Sequence, residues 1–208
     1  MRGYCSAGSW CEHIDWGAML ARTGTMSNPG RAAASSAEST SPPPAHAVQA
    51  SPKATRRGRD FDFIHGEWVV ANRRLPAPLT GSGEWISFHT TRTCRPLLDG
   101  LANIDEVVGE DSASSAALRL FNLETRQWAI HCASSRDGVL RPPLHGAFDG
   151  EVGIFVGEGR VGERPILVRH TWMRTDPERP RWERAFSPDG GLSWETNWVM
   201  HLTRVDWP

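Results

Sequence analysis

From Asp60 onward, the chain alternates short runs of residues that favour β-strands with turns rich in Gly, Pro, Asp and Asn. The helical period of about 3.6 residues is not sustained in this part of the sequence. At most one short helix is expected, near Phe61–His65. The predicted strands are Glu67–Leu75, Glu84–Cys94, Asn103–Val108, Ala116–Asn122, Gln127–Ser134, Leu144–Asp149, Val152–Gly157, Ile166–Arg174, Arg181–Ser187 and Trp194–Arg204.

The spacing of these strands predicts the fold class. About ten short strands within roughly 150 residues, with no helices between them, indicate antiparallel pairing in a sandwich or a barrel. We therefore interpret residues 60–208 as a single all-β domain, an antiparallel barrel of about 8–10 strands.

The last predicted hairpin allows its register to be predicted as well. If Ser187 lies opposite Ser193, an aromatic face points inward. Its predicted pairs are Trp182 with Trp198, Arg184 with Thr196, and Phe186 with Trp194. The opposite, polar face carries Glu183, Glu195 and Asn197, and we expect it to be a contact surface in a possible homodimer.

The first 59 residues have a different composition, rich in Ala, Ser and Pro, and we predict that they form a disordered tail. Met26 begins a segment that resembles a natural start, so we interpret residues 1–25 as an over-extended gene start. The tail carries 7 basic and 3 acidic residues and the body 16 and 21. The basic run that ends the tail is interpreted as a solvated linker.

Composition excludes several kinds of chemistry. Of the 208 residues, 10 are Trp, but the single Tyr and the single Lys, Tyr4 and Lys53, both precede Asp60. The barrel therefore has no lysine for a Schiff base or a phosphate loop and no tyrosine acid or base. The net charge of -1 gives no indication of a nucleic-acid partner, and no apolar run is long enough for a membrane span. No CxxC pair occurs, which favours reduced thiols and a cytoplasmic protein.

The segment Ser187–Trp194 fits the Asp-box pattern, Ser-x-Asp-x-Gly-x-Ser/Thr-Trp. We interpret it as a structural hairpin turn in which Asp189 accepts hydrogen bonds from turn amides. The Trp is expected to close the base of the hairpin.

Gly66-Glu67-Trp68 opens the first predicted strand, and Arg204 ends the last. These residues resemble the Gly-x-Trp signature and the terminal Arg of lipocalins and other calycins, in which the Trp closes the barrel and the Arg packs over it. The resemblance implies a cation–π stack of Trp68 and Arg204 at the barrel floor.

The whole stretch from Asp60 to Arg204 resembles a bacterial family of unknown function with a lipocalin-like, calycin fold. The segments that carry the resemblance are FDFIHGEW, NRRL, GLANIDE, LRLFNLETRQWAI, GVLRPP, RPILVRHTW and RWERAFSPDGGLSWETNWVM. It implies a barrel with a ligand cup and no particular reaction. His65 departs from the large aromatic residue expected at its position.

The candidate site is a set of Arg and Trp side chains on the inner faces of the strands. Asn72 and Arg74 share the parity of Trp68, so they line the upper cup if Trp68 points inward. The predicted ligand-binding residues are Asn72, Arg74, Arg92, Trp172, Trp182, Arg184 and Trp198. As an alternative, the arginines form ion pairs outside the barrel with Asp105, Glu106 or Glu183.

These residues favour a binding protein for a small hydrophobic or anionic aromatic molecule, with no catalytic residue assigned. The alternative is an isomerase, cyclase or hydrolase with a carboxylate, Asp105 or Glu106, or a His as base and Arg74 or Arg184 as anion clamp. No GxSxG motif occurs, and Cys94 and Cys132 are expected to be small buried thiols.

Histidine provides a third possibility. The six histidines of the body form no HxH, HxxxH or HExxH motif, so no metal site is predicted and the cofactor is left unassigned. A single His could still ligate haem in a calycin barrel, with His131 and His170 as the candidates. The favoured interpretation is a solvated or hydrogen-bonded strand histidine.

Overall fold

All ten predicted strands are present in the computed structural model, which describes residues 58–109 and 112–205. A short 3-10 helix, Asp62–Ile64, precedes the first strand as predicted, and a second, Leu98–Gly100, follows β2. The strands are β1 (Gly66–Arg74), β2 (Ile86–Leu97), β3 (Ala102–Gly109), β4 (Ser112–Asn122), β5 (Gln127–Ser134), β6 (Leu144–Asp149), β7 (Val152–Val161), β8 (Arg164–Met173), β9 (Arg181–Ser187) and β10 (Glu195–Arg204).

Each strand pairs antiparallel with its neighbour in sequence, and β1 pairs with β10 to close the barrel. The prediction of an all-β antiparallel barrel is confirmed, and the closed barrel of ten strands is compatible with a lipocalin-like fold. Closure gives every strand a neighbour on both sides. Within the described ranges, no helix is long and apolar enough to cross a membrane.

The predicted disordered tail and the proposed gene start concern residues 1–59. Apart from Gly58 and Arg59, these residues lie outside the described part of the chain. Both interpretations therefore stay predictions.

The barrel floor is built as the Gly-x-Trp resemblance implies. The guanidinium carbon of Arg204 lies 4.1 Å from the ring centre of the fully buried Trp68. Arg204 also donates to the carbonyl oxygens of Phe63 at 2.9 Å and His65 at 2.8 Å. Gly66 has a φ of +106°, and a Cβ there would lie 3.1 Å from the Arg204 guanidinium, so both its backbone and its lack of a side chain serve this contact.

An aromatic cluster fills the space above the floor. Phe61 contacts Trp128 and Phe148 edge-to-face with ring centres 5.0 Å apart, and it also packs on Phe155 and Trp172. Since Phe61 lies beside the 3-10 helix before β1, the segment that precedes the barrel plugs its lower end. The lower half of the interior is therefore a packed core.

The Asp-box hairpin lies between β9 and β10, at the opposite end of the barrel from the floor. Asp189 accepts hydrogen bonds from the Ser193 hydroxyl and amide and from the Ser187 hydroxyl. These bonds, that from the Ser193 hydroxyl above all, lower the pKa of Asp189 to about 2. Trp194 donates to the Gly191 carbonyl oxygen at 3.1 Å, so the motif has the structural role predicted for it.

The predicted register of this hairpin is wrong. The turn already places Glu195 opposite Phe186, one residue away from the prediction, and a β-bulge between Thr196 and Trp198 shifts the pairing by one more, so Trp198 lies opposite Arg184. The other observed pairs include Thr196 with Ala185 and Met200 with Trp182. The bulge adds one residue to β10, which period-two counting cannot detect.

The bulge also changes which residues form the outer face of the β9–β10 hairpin. Asn197 is fully buried, and its side-chain oxygen accepts a hydrogen bond from Arg184 Nε at 2.8 Å. Glu195 accepts a hydrogen bond from the Leu79 amide, and Glu183 pairs with Arg181. Asn197 therefore does not belong to the outer face predicted for dimerisation, and the homodimer itself stays a prediction.

The floor contact makes a testable prediction. Arg204→Lys should lower the free energy of unfolding by about 2 kcal/mol, because an ammonium cannot reproduce the planar stack and the forked hydrogen bonds. Arg73→Lys is the matched control, since Arg73 lies 5.4 Å from the ring centre of Trp85 but is exposed. Urea unfolding monitored by tryptophan fluorescence measures both variants, and equal losses would contradict this account of the floor.

Candidate functional site

A cavity of about 200 Å³, partly open to solvent, occupies the barrel interior above the aromatic cluster. The described side chains that line it include six arginines, a single carboxylate and one imidazole. The arginines are Arg74, Arg92, Arg119, Arg136, Arg141 and Arg184. Asp105 is the carboxylate and His170 the imidazole, and the aromatic part of the wall is Phe88, Trp172, Trp182 and Trp198.

The inner side of the cavity contains a buried charged triad, Arg92, Asp105 and Arg119. They come from the adjacent strands β2, β3 and β4 and are 4%, 3% and 2% exposed. Asp105 Oδ2 accepts from Arg92 Nη2 and lies 2.6 Å from Arg119 Nη1. Arg119 also donates to the side-chain oxygen of Asn103 at 2.9 Å. With two cations and one anion, the triad carries an excess positive charge.

The triad controls the ionisation of its carboxyl group. Burial alone would raise the pKa of Asp105, but the charges of Arg119 and Arg92 and their hydrogen bonds outweigh it, so the pKa is lowered. Asp105 is therefore an ionised counterion. A carboxylate held in this way is a weak base, which makes it a poor candidate for proton abstraction.

Aromatic faces support the two guanidiniums of the triad. Arg92 lies 5.0 Å from the ring centre of Trp172, and Arg119 lies 5.1 Å from that of Phe61. Cation–π contacts of desolvated guanidiniums are stronger than exposed ones. The triad thus rests on the same aromatic cluster that fills the lower barrel.

The outer wall of the cavity is built around Trp198. Its ring centre lies 5.2 Å from the guanidinium carbon of Arg74 and 5.0 Å from that of Arg184. Its indole N–H donates to the Asn72 side-chain oxygen at 3.0 Å, and it packs edge-to-face on Trp182 with ring centres 5.7 Å apart. Trp198 therefore holds two cations at one side of the cavity and is itself fixed by Asn72.

His170 lies on β8, directly opposite Arg184 on β9, and packs edge-to-face on Trp182. Burial first, and then the charges of Arg184, Arg119 and Arg92, lower the pKa of His170 to about 3. The imidazole is therefore neutral at physiological pH. The cavity therefore contains a neutral imidazole, which can form hydrogen bonds, together with several arginine cations.

The rim of the cavity is formed in part by the loop between β5 and β6. These strands pair only through Trp128, Ala129 and Ile130 of β5, so the rest of β5 diverges from β6. In the diverging region, the Arg141 amide donates to the Cys132 carbonyl oxygen at 2.8 Å. The loop thereby brings Arg136 and Arg141 to the cavity mouth.

Of the seven predicted ligand-binding residues, the structure brings Arg74, Arg92, Trp172, Trp182, Arg184 and Trp198 to the cavity wall. Asn72 lies beneath the wall, where its amide donates to Thr90 and Val70 and its oxygen accepts from Trp198. The alternative of outer ion pairs does not describe Asp105, which pairs with arginines inside the barrel.

Arg119, Arg136 and Arg141 are cavity arginines that were not predicted from the sequence. Asp105 and His170 were predicted at the site only in the alternatives, as a carboxylate base and as a haem ligand. Arg119 shares the parity of Phe121 in β4, so the alternation of this strand indicates that its side chain points inward. Arg136 and Arg141 lie on a loop, where no periodicity applies. Their position depends on where β5 and β6 separate.

The two described cysteines, Cys94 and Cys132, were considered as nucleophiles. Cys132 lines the cavity and Cys94 is buried, both as free thiols, and burial raises the pKa of Cys94 to about 11. A thiol with a raised pKa is a poor nucleophile. Among the described residues, no group of three or more His, Cys, Asp and Glu side chains is placed to hold a metal ion.

The two histidines considered for haem differ in position. His170 faces the cavity, whereas His131 belongs to the outward set of β5, where its Nδ1 lies 3.3 Å from the Arg141 carbonyl oxygen. The cavity of about 200 Å³ is smaller than the roughly 300–1,000 Å³ of pockets for drug-sized ligands. Haem is larger than such ligands, so no observation here favours it.

Fold and site together define a closed ten-stranded antiparallel barrel with a cationic, tryptophan-walled internal cavity. No protein-family model matches the chain, and no curated protein matches it.

The triad makes a second testable prediction. Asp105→Asn should destabilise the fold by about 3–5 kcal/mol, because two buried guanidiniums lose their counterion. The pKa of Asp105 is lowered on folding, so its contribution is present above the usual titration range of a carboxyl group and is lost as pH falls through the lowered value.

Asp137→Asn is the matched control, because Asp137 forms an exposed ion pair with Arg141. It should leave the free energy of unfolding nearly unchanged. Denaturant unfolding of both variants at neutral pH provides the comparison. A harmless Asp105→Asn substitution would show that the triad does not depend on its carboxylate.

Proposed function

We propose that the barrel binds a small anionic molecule with a flat, apolar body. The observation that carries this proposal is the composition of the cavity wall, where six arginines face one carboxylate and one neutral imidazole among the described residues. Buried cations are unfavourable unless an anion accompanies them. In the buried triad two guanidiniums share one carboxylate, so an anionic ligand would be favoured electrostatically in this cavity.

The aromatic part of the wall supports a flat ligand. Trp182 and Trp198 present an edge-to-face pair to the cavity, and Phe88 lies beside them with its ring centre 6.3 Å from that of Trp198. Aromatic faces bury large areas and favour offset or edge-on contacts with other rings. An apolar ring with an anionic substituent would use both kinds of wall.

We also propose that the chain is related to the lipocalin-like bacterial family and that the protein is located in the cytoplasm. The first is supported by the Trp68–Arg204 floor. The second is supported by the free thiols of Cys94 and Cys132.

The third prediction tests ligand binding. The full chain should bind benzoate at least tenfold more tightly than benzamide, which has the same ring but no charge. Arg184→Gln should weaken benzoate binding by about tenfold, or roughly 1.4 kcal/mol. Isothermal titration calorimetry at low salt measures the affinities.

Arg169→Gln is the control, because Arg169 stacks on Trp194 in the Asp-box hairpin, 4.3 Å from its ring centre, and does not line the cavity. It should bind benzoate as the unmodified protein does. Equal affinity for benzoate and benzamide would contradict an anion site.

A second candidate function is proton transfer on a bound carbon acid. The observation that favours it is the direct cross-strand pairing of His170 with Arg184, both of which line the cavity. A neutral imidazole next to a fixed cation can remove a proton while the cation stabilises the enolate that forms. The proton would return from the imidazole to a different atom of the same molecule, which isomerises it.

The fourth prediction tests this candidate with phenylpyruvate, an aromatic acid with an acidic carbon–hydrogen bond. The protein should accelerate exchange of the benzylic hydrogens with D₂O, followed by proton NMR. His170→Gln should abolish the acceleration while the affinity for benzoate changes little. Acceleration that survives in His170→Gln would exclude His170 as the base, and no acceleration at all would leave binding as the function.

A further inference from the structure

The two arginine groups of the cavity differ in how their charge is balanced. The inner group is the Arg92–Asp105–Arg119 triad, in which a single carboxylate faces two guanidiniums. The outer group, Arg74 and Arg184, packs on Trp198, and Arg184 donates to Asn197. Arg92 and Arg119 are more deeply buried than Arg74 and Arg184, so a charge imbalance is most costly in the inner group.

Hydrogen bonding in the inner group is also incomplete. Arg92 donates to Asp105 through Nη2, and Arg119 donates through Nη1 to Asn103 and Asp105. The Nε atoms of both arginines are buried with no hydrogen-bond partner among the described residues. Each guanidinium has five N–H donors, so most of the donors in the triad are not matched by an acceptor on these neighbours.

Both guanidiniums nevertheless line the cavity. They are at least nine-tenths buried, and Trp172 and Phe61 hold them in place from below. A carboxylate that entered the cavity could accept hydrogen bonds from groups whose positions are already fixed. Binding to pre-organised donors loses little entropy, which favours affinity.

The size of the cavity limits the rest of the ligand. An engineered cavity of about 150 Å³ holds one benzene molecule. The present cavity, at about 200 Å³ and partly open to solvent, has room inside the barrel for one ring and a carboxylate. Val168 and Trp182 provide the apolar wall against which such a ring would pack.

We infer that the ligand is a carboxylic acid with a single ring, bound with its carboxylate inward on Arg92 and Arg119 and its ring against Trp182. The ligand carboxylate is then the second anion of the triad and balances its charge. This inference rests on the proposed function and adds the ligand class and its orientation. It makes the inner arginines, rather than Arg184, the main anion anchor.

The fifth prediction compares the two anchors in the full chain with benzoate as the probe. Arg119→Gln leaves the Arg92–Asp105 pair electrically balanced, and it should weaken benzoate binding by about a hundredfold, against about tenfold for Arg184→Gln. Affinity for benzamide should change little in either variant. Arg169→Gln again serves as the control.

A second measurement reads the position of the ligand in the unmodified protein. In ¹⁵N-labelled protein, benzoate should shift the Nε–H signals of Arg92 and Arg119 more than that of Arg184, with the signals assigned from Arg→Lys variants. This readout reports the position of the ligand directly. It also decides the matter if Arg119→Gln fails to fold.

The outcomes separate the inference from the proposed function. If Arg184→Gln loses most of the affinity and the signals of Arg92 and Arg119 do not move, the inward orientation is overturned while anion binding stands. If the unmodified protein does not distinguish benzoate from benzamide, the proposed function fails and the inference fails with it. A hundredfold loss in Arg119→Gln together with shifted inner signals supports the inference.

Discussion

The Arg92–Asp105–Arg119 triad is the interaction on which the rest of the interior depends. Placing two guanidiniums and one carboxylate in a barrel core is unfavourable unless each charge has close partners. Here the carboxylate bridges the two cations, and the rings of Trp172 and Phe61 cover them. The triad thereby separates the packed lower core from the open upper cavity, which its excess positive charge faces.

The barrel makes such a triad possible because it is closed at one end. The stack of Arg204 on Trp68 and the aromatic cluster around Phe61 exclude water from below. At the other end, the divergence of β5 from β6 leaves room for the loop that carries Arg136 and Arg141. Charge buried near the middle of the barrel is therefore reached from one direction, past the outer wall around Trp198.

Binding and proton transfer make different demands on this cavity. Binding needs fixed cations and an apolar wall, and the arginines and tryptophans provide both. Proton transfer needs a base whose pKa lies near the working pH. Asp105 is held as a counterion, and the pKa of His170 is lowered to about 3, so neither is tuned to be a strong base in the empty cavity. Binding is the function that the observed chemistry supports best.

Period-two patterning and turn residues were enough to predict ten strands and the inward orientation of Arg74, Arg92 and Arg184, because local alternation reports which residues share a face. The closed floor was expected from the resemblance of Gly66, Trp68 and Arg204 to calycins. Three features needed the tertiary structure. The bulge at Asn197 changes the β9–β10 register, and the loop position of Arg141 has no period. The third is the meeting of Asp105 with Arg92 and Arg119. A carboxylate joins two cations on separate strands only after closure fixes the register of β2, β3 and β4, and a local sequence pattern carries no information about that long-range alignment.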